Sequence, residues 1–213
     1  VLSNVKTRGI VGEIQLGAIL AQILSPEQYD ENVAVKGGSE RVEFAVKFPG
    51  EGDRPVYLPI DSKFPADAYT RLLDAYDTGD RQLIKAATDG LRNAVLKAAK
   101  DIRTKYISPP YTTEFAIMFL PFEGLYAEVL RLGLVDTLQR DYRINIAGPT
   151  TMAAMLNSFQ MGFRSLALQK QSGEVWDTLA KVRTEFDKFG DVLVKTQTKM
   201  EQAQKDLEKL VGV

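Results

Sequence analysis

The sequence predicts an α/β domain built on a mixed central sheet with helices packed on it, followed by a long C-terminal coiled-coil helix. Three observations predict this fold. Segments with helical spacing of apolar residues alternate with short strand-like runs through the first 171 residues. One run, Glu114–Leu120, is almost continuously apolar, which is typical of a strand buried on both faces. From residue 172 onward, apolar residues recur in steps of three and four, which is typical of a coiled coil.

The first predicted elements are a helix and a hairpin of two strands. Apolar residues recur at near-helical spacing over Thr7–Leu24, and a Ser-Pro pair ends that helix. Apolar and polar residues alternate over Arg41–Phe48, which is the period of two expected of a strand. A turn rich in proline and glycine follows, and Val56–Lys63 is predicted to be the second strand of the hairpin. Asp61 and Lys63 are two residues apart in this strand, so we expect both side chains on one face.

The remaining elements of the domain are helices separated by two further strands. Helices are predicted over Pro65–Asp77, Asp80–Lys105 and Glu123–Leu132, and from Pro149 to about Lys170. Glu114–Leu120 and Ile144–Ile146 are predicted to be strands. The resulting order, α-β-β-α-α-β-α-β-α, predicts a mixed sheet covered by helices.

The C-terminal segment, residues 172–213, differs in kind from the domain at residues 1–171. Its apolar seam steps by four and three without a break through Val175, Leu179, Val182, Phe186, Phe189, Leu193, Thr196, Met200, Ala203, Leu207 and Leu210. Such a heptad seam predicts one helix over about Ser172–Leu210 that pairs with another helix, so we expect a homo-oligomer. The alternative is an ordinary helix lying on the domain.

The composition restricts the chemistry that the protein can perform. The chain has no cysteine and no histidine, which excludes disulfides, thiolate catalysis, Ser-His-Asp triads and zinc sites built on imidazole or thiolate. Catalysis would therefore need carboxylates, lysine, tyrosine, hydroxyls or a hard metal ion such as Mg²⁺ or Mn²⁺. The net charge of -1 gives no global basic field, so binding of nucleic acid would need a local patch or partner subunits.

The most specific local feature is the segment Pro59–Pro65, which carries Asp61 and Lys63 at the end of a predicted strand. A second carboxylate, Glu43, lies on the preceding strand. Two or three carboxylate oxygens suit a hard divalent cation, and a lysine beside it could stabilise charge that develops on a phosphate. The alternative is a solvated hairpin with an Asp-Lys ion pair, because D-x-K is only a three-residue pattern.

Five separated blocks of the sequence resemble the RmuC family of bacterial DNA recombination proteins, in the family's order. The blocks are Lys6-Thr7-Arg8-Gly9 with Gly12-Glu13; Ile60-Asp61-Ser62-Lys63 with Pro65 and Ala68-Tyr69; Lys105-Tyr106; Phe119-Leu120-Pro121-Phe122-Glu123; and Gly148-Pro149-Thr150-Thr151. The resemblance implies a restriction-endonuclease-like fold of the PD-(D/E)XK nuclease type, a Mg²⁺- or Mn²⁺-dependent nuclease role in DNA recombination, and coiled-coil segments flanking the domain.

The resemblance also implies roles for individual residues. Asp61 matches the first acid of the D-x-K motif, and Lys63 matches its lysine. Glu43 stands where the family usually has an aspartate, which keeps the carboxylate but lengthens its arm by one methylene. Glu13 would be the helical acid that completes the site, although Val11 replaces the usual tryptophan before it. We therefore expect Lys63, Asp61 and Glu43 to be catalytic, and Asp61, Glu43 and Glu13 to hold the metal.

DNA is the expected partner, and we expect further residues to contact it. The candidates for contacts with the backbone or with bases are Arg8, Arg41, Lys105, Tyr106, Thr150 and Thr151. Their alternatives are scattered surface cations and ordinary capping of a helix by the threonines. Glu123 could line the site, or could simply favour the start of a helix through the helix dipole.

The competing function is a non-catalytic scaffold with a degenerate nuclease fold that binds DNA or proteins. The long heptad seam and the glutamate at position 43 favour this alternative. No window approaches the roughly 18 apolar residues of a membrane span, so we expect no membrane contact from this chain. A cytoplasmic location is expected, with an anchoring helix at the inner membrane in a full-length protein, as the resemblance implies.

Overall fold

The structure, a computed structural model, divides into two compact units, Val1–Gln160 and Met161–Val213. It describes residues 5–35, 39–50, 54–166, 181–185, 188–189, 192, 195–196 and 198–200. Side chains are described from residue 10 onward. The boundary predicted between residues 171 and 172 lies outside the described residues.

A five-stranded mixed sheet forms the centre of the first unit. Its strands are β1 (Tyr29–Val33), β2 (Val42–Phe48), β3 (Val56–Ser62), β4 (Ala116–Phe119) and β5 (Ile144–Ala147). They lie in the order β1-β2-β3-β4-β5. The pairs β1/β2 and β2/β3 are antiparallel, whereas β3/β4 and β4/β5 are parallel. The predicted mixed sheet and the predicted hairpin are therefore confirmed.

Helices cover this sheet, and the sequence signals explain where several of them begin and end. They are α1 (Val5–Ile23), α2 (Ala66–Thr78), α3 (Arg81–Tyr106), α4 (Glu123–Arg131) and α5 (Val135–Tyr142), and residues 149–160 are also helical. Gly79 ends α2 in the left-handed conformation at φ 68°, which glycine adopts without a Cβ penalty. The next residue, Asp80, caps α3 by accepting hydrogen bonds from the amides of Gln82 and Leu83.

Two elements were not predicted from the sequence, β1 and α5. β1 is an edge strand, and its sequence Tyr-Asp-Glu-Asn-Val lacks the alternation that predicts a strand. Its pairing with β2 supplies the hydrogen bonds that make it a strand. α5 is only eight residues long, and its three apolar residues at helical spacing, Val135, Leu138 and Tyr142, form too short a pattern to predict a helix.

The core lies on both faces of the sheet, and the alternation of β4 shows how the faces are divided. Met118 belongs to an apolar cluster with Leu91 and Val95 of α3. Ile117 points to the other face and pairs with Ile60 of β3, which in turn pairs with Phe44. Helix α1 covers this second face, where a Cβ on Gly17 would come 3.1 Å from the Phe44 ring. β3 and β4 are therefore covered on both sides, as the apolar run in β4 predicts.

The second unit is described only in short helical stretches. Residues 161–166 and 181–185 are helical, and so are the described residues between 188 and 200. Val182, Phe189 and Met200 of the predicted seam are 45%, 59% and 69% exposed. Outside the described residues lie the seam positions Val175, Leu179, Phe186, Leu193, Ala203, Leu207 and Leu210. Thus the continuous helix and its coiled-coil pairing stay predictions.

Within the part of the chain that the structure describes, no helix combines the length and the apolar character that a membrane span requires.

Candidate active site

Two carboxylates meet where β2 and β3 pair. Phe44 of β2 is the partner of Ile60 in β3, so Glu43 and Asp61 stand opposite each other one step further along the ladder. Successive side chains alternate between faces, and both acids therefore lie on the face that carries α3. Asp61 is 1% exposed and Glu43 is part-buried. The structure brings together two of the three predicted metal-binding acids.

Asp61 is an ionisable residue in the middle of the sheet. It is buried because β3 lies between β2 and β4, and its backbone partner in β4 is Met118. The Lys63 ammonium lies 2.5 Å from Oδ2 of Asp61. The ammonium therefore compensates the charge of a carboxylate that is removed from water, although the contact lacks regular hydrogen-bond geometry.

A backbone hydrogen bond fixes Lys63 just beyond the carboxyl end of β3. Its amide donates to the carbonyl of Phe119 at 2.9 Å, which continues the parallel β3/β4 ladder past the last residue of β3. The side chain returns to Asp61 on the same face, as the two-residue spacing predicts. Its side chain is 34% exposed, so the ammonium lies between the buried carboxylate and solvent.

Glu43 is the second carboxylate, and its oxygen Oε2 accepts a hydrogen bond from the Ser62 amide at 2.8 Å. Burial and the negative charge of Asp61 raise its pKa to about 7, against the opposing effects of the Ser62 amide and of Lys63. Burial also raises the pKa of Asp61, although the neighbouring Lys63 ammonium opposes this. Two buried acids with raised pKa values form a site that favours added positive charge.

The last turn of α3 contributes two more groups to this cluster. The positive charge of Lys105 lowers the pKa of Asp61. Tyr106 lies within hydrogen-bonding reach of Asp61 and lowers the same pKa as a donor. Burial and the nearby acids Asp61 and Glu43 raise the pKa of Tyr106. Both residues were predicted to contact DNA, and their position beside Asp61 was not predicted. Glu40, which also acts on Tyr106, carried no sequence signal.

Helix α1 lies directly against the end of β3. A Cβ on Gly12 would meet Ser62 Oγ and lie 3.4 Å from Pro121 Cγ, so the helix approaches β3 closely at this glycine. Glu13 follows, and its side chain is exposed. Its charge contributes to raising the pKa of Glu43. In the described part of the chain, no three Asp, Glu, His or Cys side chains form a ready group of metal ligands.

The remaining residues that were predicted to contact DNA are Thr150, Thr151, Arg41 and Arg8. The Thr150 amide donates to Oε1 of Glu123 at 2.7 Å, so Glu123 occupies the position that a phosphate was expected to take at this helix start. Thr151 follows in the same helix and is part-buried. Arg41 is exposed, and its guanidinium donates to the Asn32 carbonyl at 2.7 Å. The side chain of Arg8 lies outside the described residues.

The donor set at Asp61 and Glu43 fits a small divalent cation. Mg²⁺ keeps several water ligands and is commonly held by only one or two carboxylates. Asp61 supplies a buried carboxylate whose Oδ2 lies against the Lys63 ammonium, and Glu43 stands opposite it. These two acids would be the ligands of such an ion, and Glu13 is within electrostatic range of Glu43.

Comparison with known proteins identifies the family. A relative described as "DNA recombination protein RmuC homolog" from Xylella fastidiosa (strain Temecula1 / ATCC 700964) is 51% identical over 97% of this chain and 46% of its own length. A homologue with the same description from Chlamydia pneumoniae is 30% identical over 92% of this chain and 47% of its own length. One from Zymomonas mobilis is 26% identical over 97% and 46%.

The chain thus spans about half the length of the curated relatives that it matches. No solved structure gives a significant match. The model of the RmuC family matches residues 1–213, and this match over the whole chain, together with the 51% identity, shows that the chain belongs to the RmuC family.

Proposed function

We propose that this domain is a divalent-metal-dependent phosphodiesterase that cleaves DNA, with its active site at Asp61, Glu43 and Lys63. The observation that carries the proposal is the buried carboxylate of Asp61, which faces Glu43 on the neighbouring strand and pairs with Lys63. Burying a carboxylate costs stability, so a structural role alone accounts poorly for two such acids.

Each residue has a distinct task in the proposed reaction. Asp61 and Glu43 would hold Mg²⁺ or Mn²⁺, and Glu13 would be a third ligand of the ion. The bound ion supplies Lewis-acid stabilisation of the phosphate oxygens. A water oxygen would bond to phosphorus and give up a proton as the bond from phosphorus to the leaving oxygen breaks, and the leaving oxygen would take up a proton. The Lys63 ammonium, 2.5 Å from Asp61, would stabilise the negative charge that develops at the phosphate.

The topology supports a restriction-endonuclease-like fold. Three antiparallel strands are followed by a fourth that is parallel to β3, and α1 packs against the end of β3. The acids lie on β2 and β3, where the resemblance to PD-(D/E)XK nucleases implies them. The printed description of the relatives as DNA recombination proteins supports DNA as the substrate and a role in recombination.

A non-catalytic scaffold is the second candidate, and two observations favour it. The Lys63 ammonium already neutralises Asp61, and the described residues contain no ready group of three metal ligands. Such a domain would bind DNA or proteins through its surface. The two candidates differ in one property, because only the phosphodiesterase requires Asp61 and Glu43 to bind a divalent ion.

The proposal includes self-association through the C-terminal segment. Val182, Phe189 and Met200 are helical and exposed, and they occupy seam positions of the heptad pattern. An apolar stripe of this kind is stabilised when a second copy of the chain covers it.

Calorimetric titration with Mg²⁺ and Mn²⁺ distinguishes the phosphodiesterase from the scaffold. The wild type should bind the ion, and Asp61→Asn should abolish binding because it removes the buried anionic ligand. Asp77→Asn is the matched control, since Asp77 is exposed at the end of α2. Absence of binding by the wild type, or equal binding by Asp61→Asn, would favour the scaffold.

A further inference from the structure

Two phenylalanines lie just beyond the carboxyl ends of the neighbouring strands β3 and β4, where Lys63 also lies. Phe64 comes two residues after the end of β3, and Phe122 comes three residues after the end of β4. Because β3 and β4 are parallel, both strands end at the same edge. The sequence therefore places an aromatic residue just beyond each of the two strands that border the candidate active site.

The two rings are in contact, and one of them is open to solvent. Their centroids are 4.8 Å apart with planes tilted by 56°. Phe64 also contacts Tyr69 of α2 at 6.5 Å, edge to face, which supports it from behind. A Cβ on Gly124 would stand 2.5 Å from the Tyr69 hydroxyl, so the glycine allows this packing. Phe122 rests on Phe64 and remains 37% exposed.

The aromatic pair adjoins the charged site through the backbone. Phe64 is the residue after Lys63, whose amide is bound to the Phe119 carbonyl. Phe64 packs on the apolar cluster that includes Met118, so it lies on the face of the sheet that carries Asp61. The exposed ring of Phe122 therefore rests on the residue that follows Lys63 in the chain.

The charges around Phe122 also suit a nucleotide. The neighbouring acid Glu123 accepts a hydrogen bond from the Thr150 amide at 2.7 Å, so the start of that helix offsets its negative charge. The Lys63 side chain is 34% exposed, so its ammonium, which pairs with Asp61, also faces solvent. A nucleotide combines an anionic phosphate with a flat apolar base, and this edge offers a partner to each.

We propose that Phe122 is a stacking subsite for an unpaired nucleobase beside the phosphate held at Lys63, so that the domain acts on single-stranded or frayed DNA. The inference rests on the proposed phosphodiesterase function and names its substrate form. Every base has a face that stacks on an aromatic ring, so this subsite would show little sequence preference. Bases inside an intact duplex are already stacked on their neighbours and do not offer that face.

Binding of an oligonucleotide that contains 2-aminopurine tests the subsite without requiring turnover. The probe is single-stranded DNA with phosphorothioate linkages, titrated into the full chain with Mg²⁺. The wild type should quench the fluorescence of the base, and Phe122→Leu should weaken affinity about tenfold or more and remove the quenching. Phe122→Trp should retain both. Leu130→Ala is the control, because Leu130 is an exposed apolar residue of α4 and should change neither.

The outcomes separate this inference from the proposed function. Quenching and affinity that are unchanged in Phe122→Leu would overturn the subsite. Cleavage of intact duplex and single strand at equal rates would also overturn it, although the phosphodiesterase would stand. A wild type that quenches the probe and cleaves nothing would support the subsite and refute the phosphodiesterase.

Discussion

The raised pKa of Glu43 predicts how the stability of the protein depends on pH. Its pKa rises from 4.5 to about 7 on folding, chiefly through burial and through the charge of Asp61. Between these two values the folded state binds more protons than the unfolded state, so the free energy of unfolding falls as the pH rises. A difference of about 2.5 pH units corresponds to a loss of about 3 kcal/mol, complete above pH 7.

The substitution Glu43→Gln isolates this effect. The glutamine oxygen can still accept the hydrogen bond from the Ser62 amide, but the side chain does not titrate. At pH 8 the variant should be more stable than the wild type by up to about 3 kcal/mol, or about 6 to 12 °C in Tm for a chain of this size. The advantage should shrink towards pH 4.5.

Urea unfolding from pH 4.5 to 8 measures this difference directly, at constant ionic strength and with EDTA present. Glu114→Gln serves as the control because Glu114 is an exposed glutamate, and it should follow the wild type. The reasoning is refuted if Glu43→Gln and the wild type show parallel stability curves across this range. Such a result would mean that Glu43 titrates alike in the folded and unfolded states.

Three further predictions concern the lysine, the glycine contact and the C-terminal segment. Lys63→Ala should lower turnover on DNA by roughly 10²- to 10³-fold with the fold intact by circular dichroism; unchanged turnover would exclude a catalytic lysine. Gly12→Val should lower stability by about 1 to 3 kcal/mol in urea unfolding, because its branched side chain would meet both Ser62 Oγ and the Pro121 ring; an unchanged midpoint would contradict this close packing. Phe189→Glu should lower the sedimentation coefficient at micromolar concentration by disrupting self-association; a wild type that is already monomeric would contradict the coiled coil.

The local part of the fold could be predicted from the sequence. Alternation in Arg41–Phe48 and the following turn predict the β2/β3 hairpin, and the two-residue spacing predicts Asp61 and Lys63 on one face. Gly79 ends α2 and Asp80 caps α3 through equally local contacts. These features depend on residues that are close together in the chain, and a sequence pattern shows the spacing of such residues directly.

Features that depend on distant segments could not be predicted. A hairpin with an Asp-Lys pair is compatible with a solvated surface, and the burial of Asp61 comes from pairing with β4, more than 50 residues later. Tyr106 reaches Asp61 only because the 26 residues of α3 lie along the sheet. β1 becomes a strand through its pairing with β2, and its own residues give no sign of this. Long-range packing therefore builds the part of the site that the sequence pattern leaves undetermined.

Phosphodiester cleavage by the wild type and by Asp61→Asn is the most direct test of the proposed active site. The substrates are linear duplex, branched and single-stranded DNA, each with Mg²⁺ or Mn²⁺ and with an EDTA control. We expect the wild type to cleave at least one of them only when the metal is present, and Asp61→Asn to be inactive although folded. Cleavage by Asp61→Asn at the wild-type rate would place the active site elsewhere, and a wild type that cleaves none of them would contradict the proposed activity.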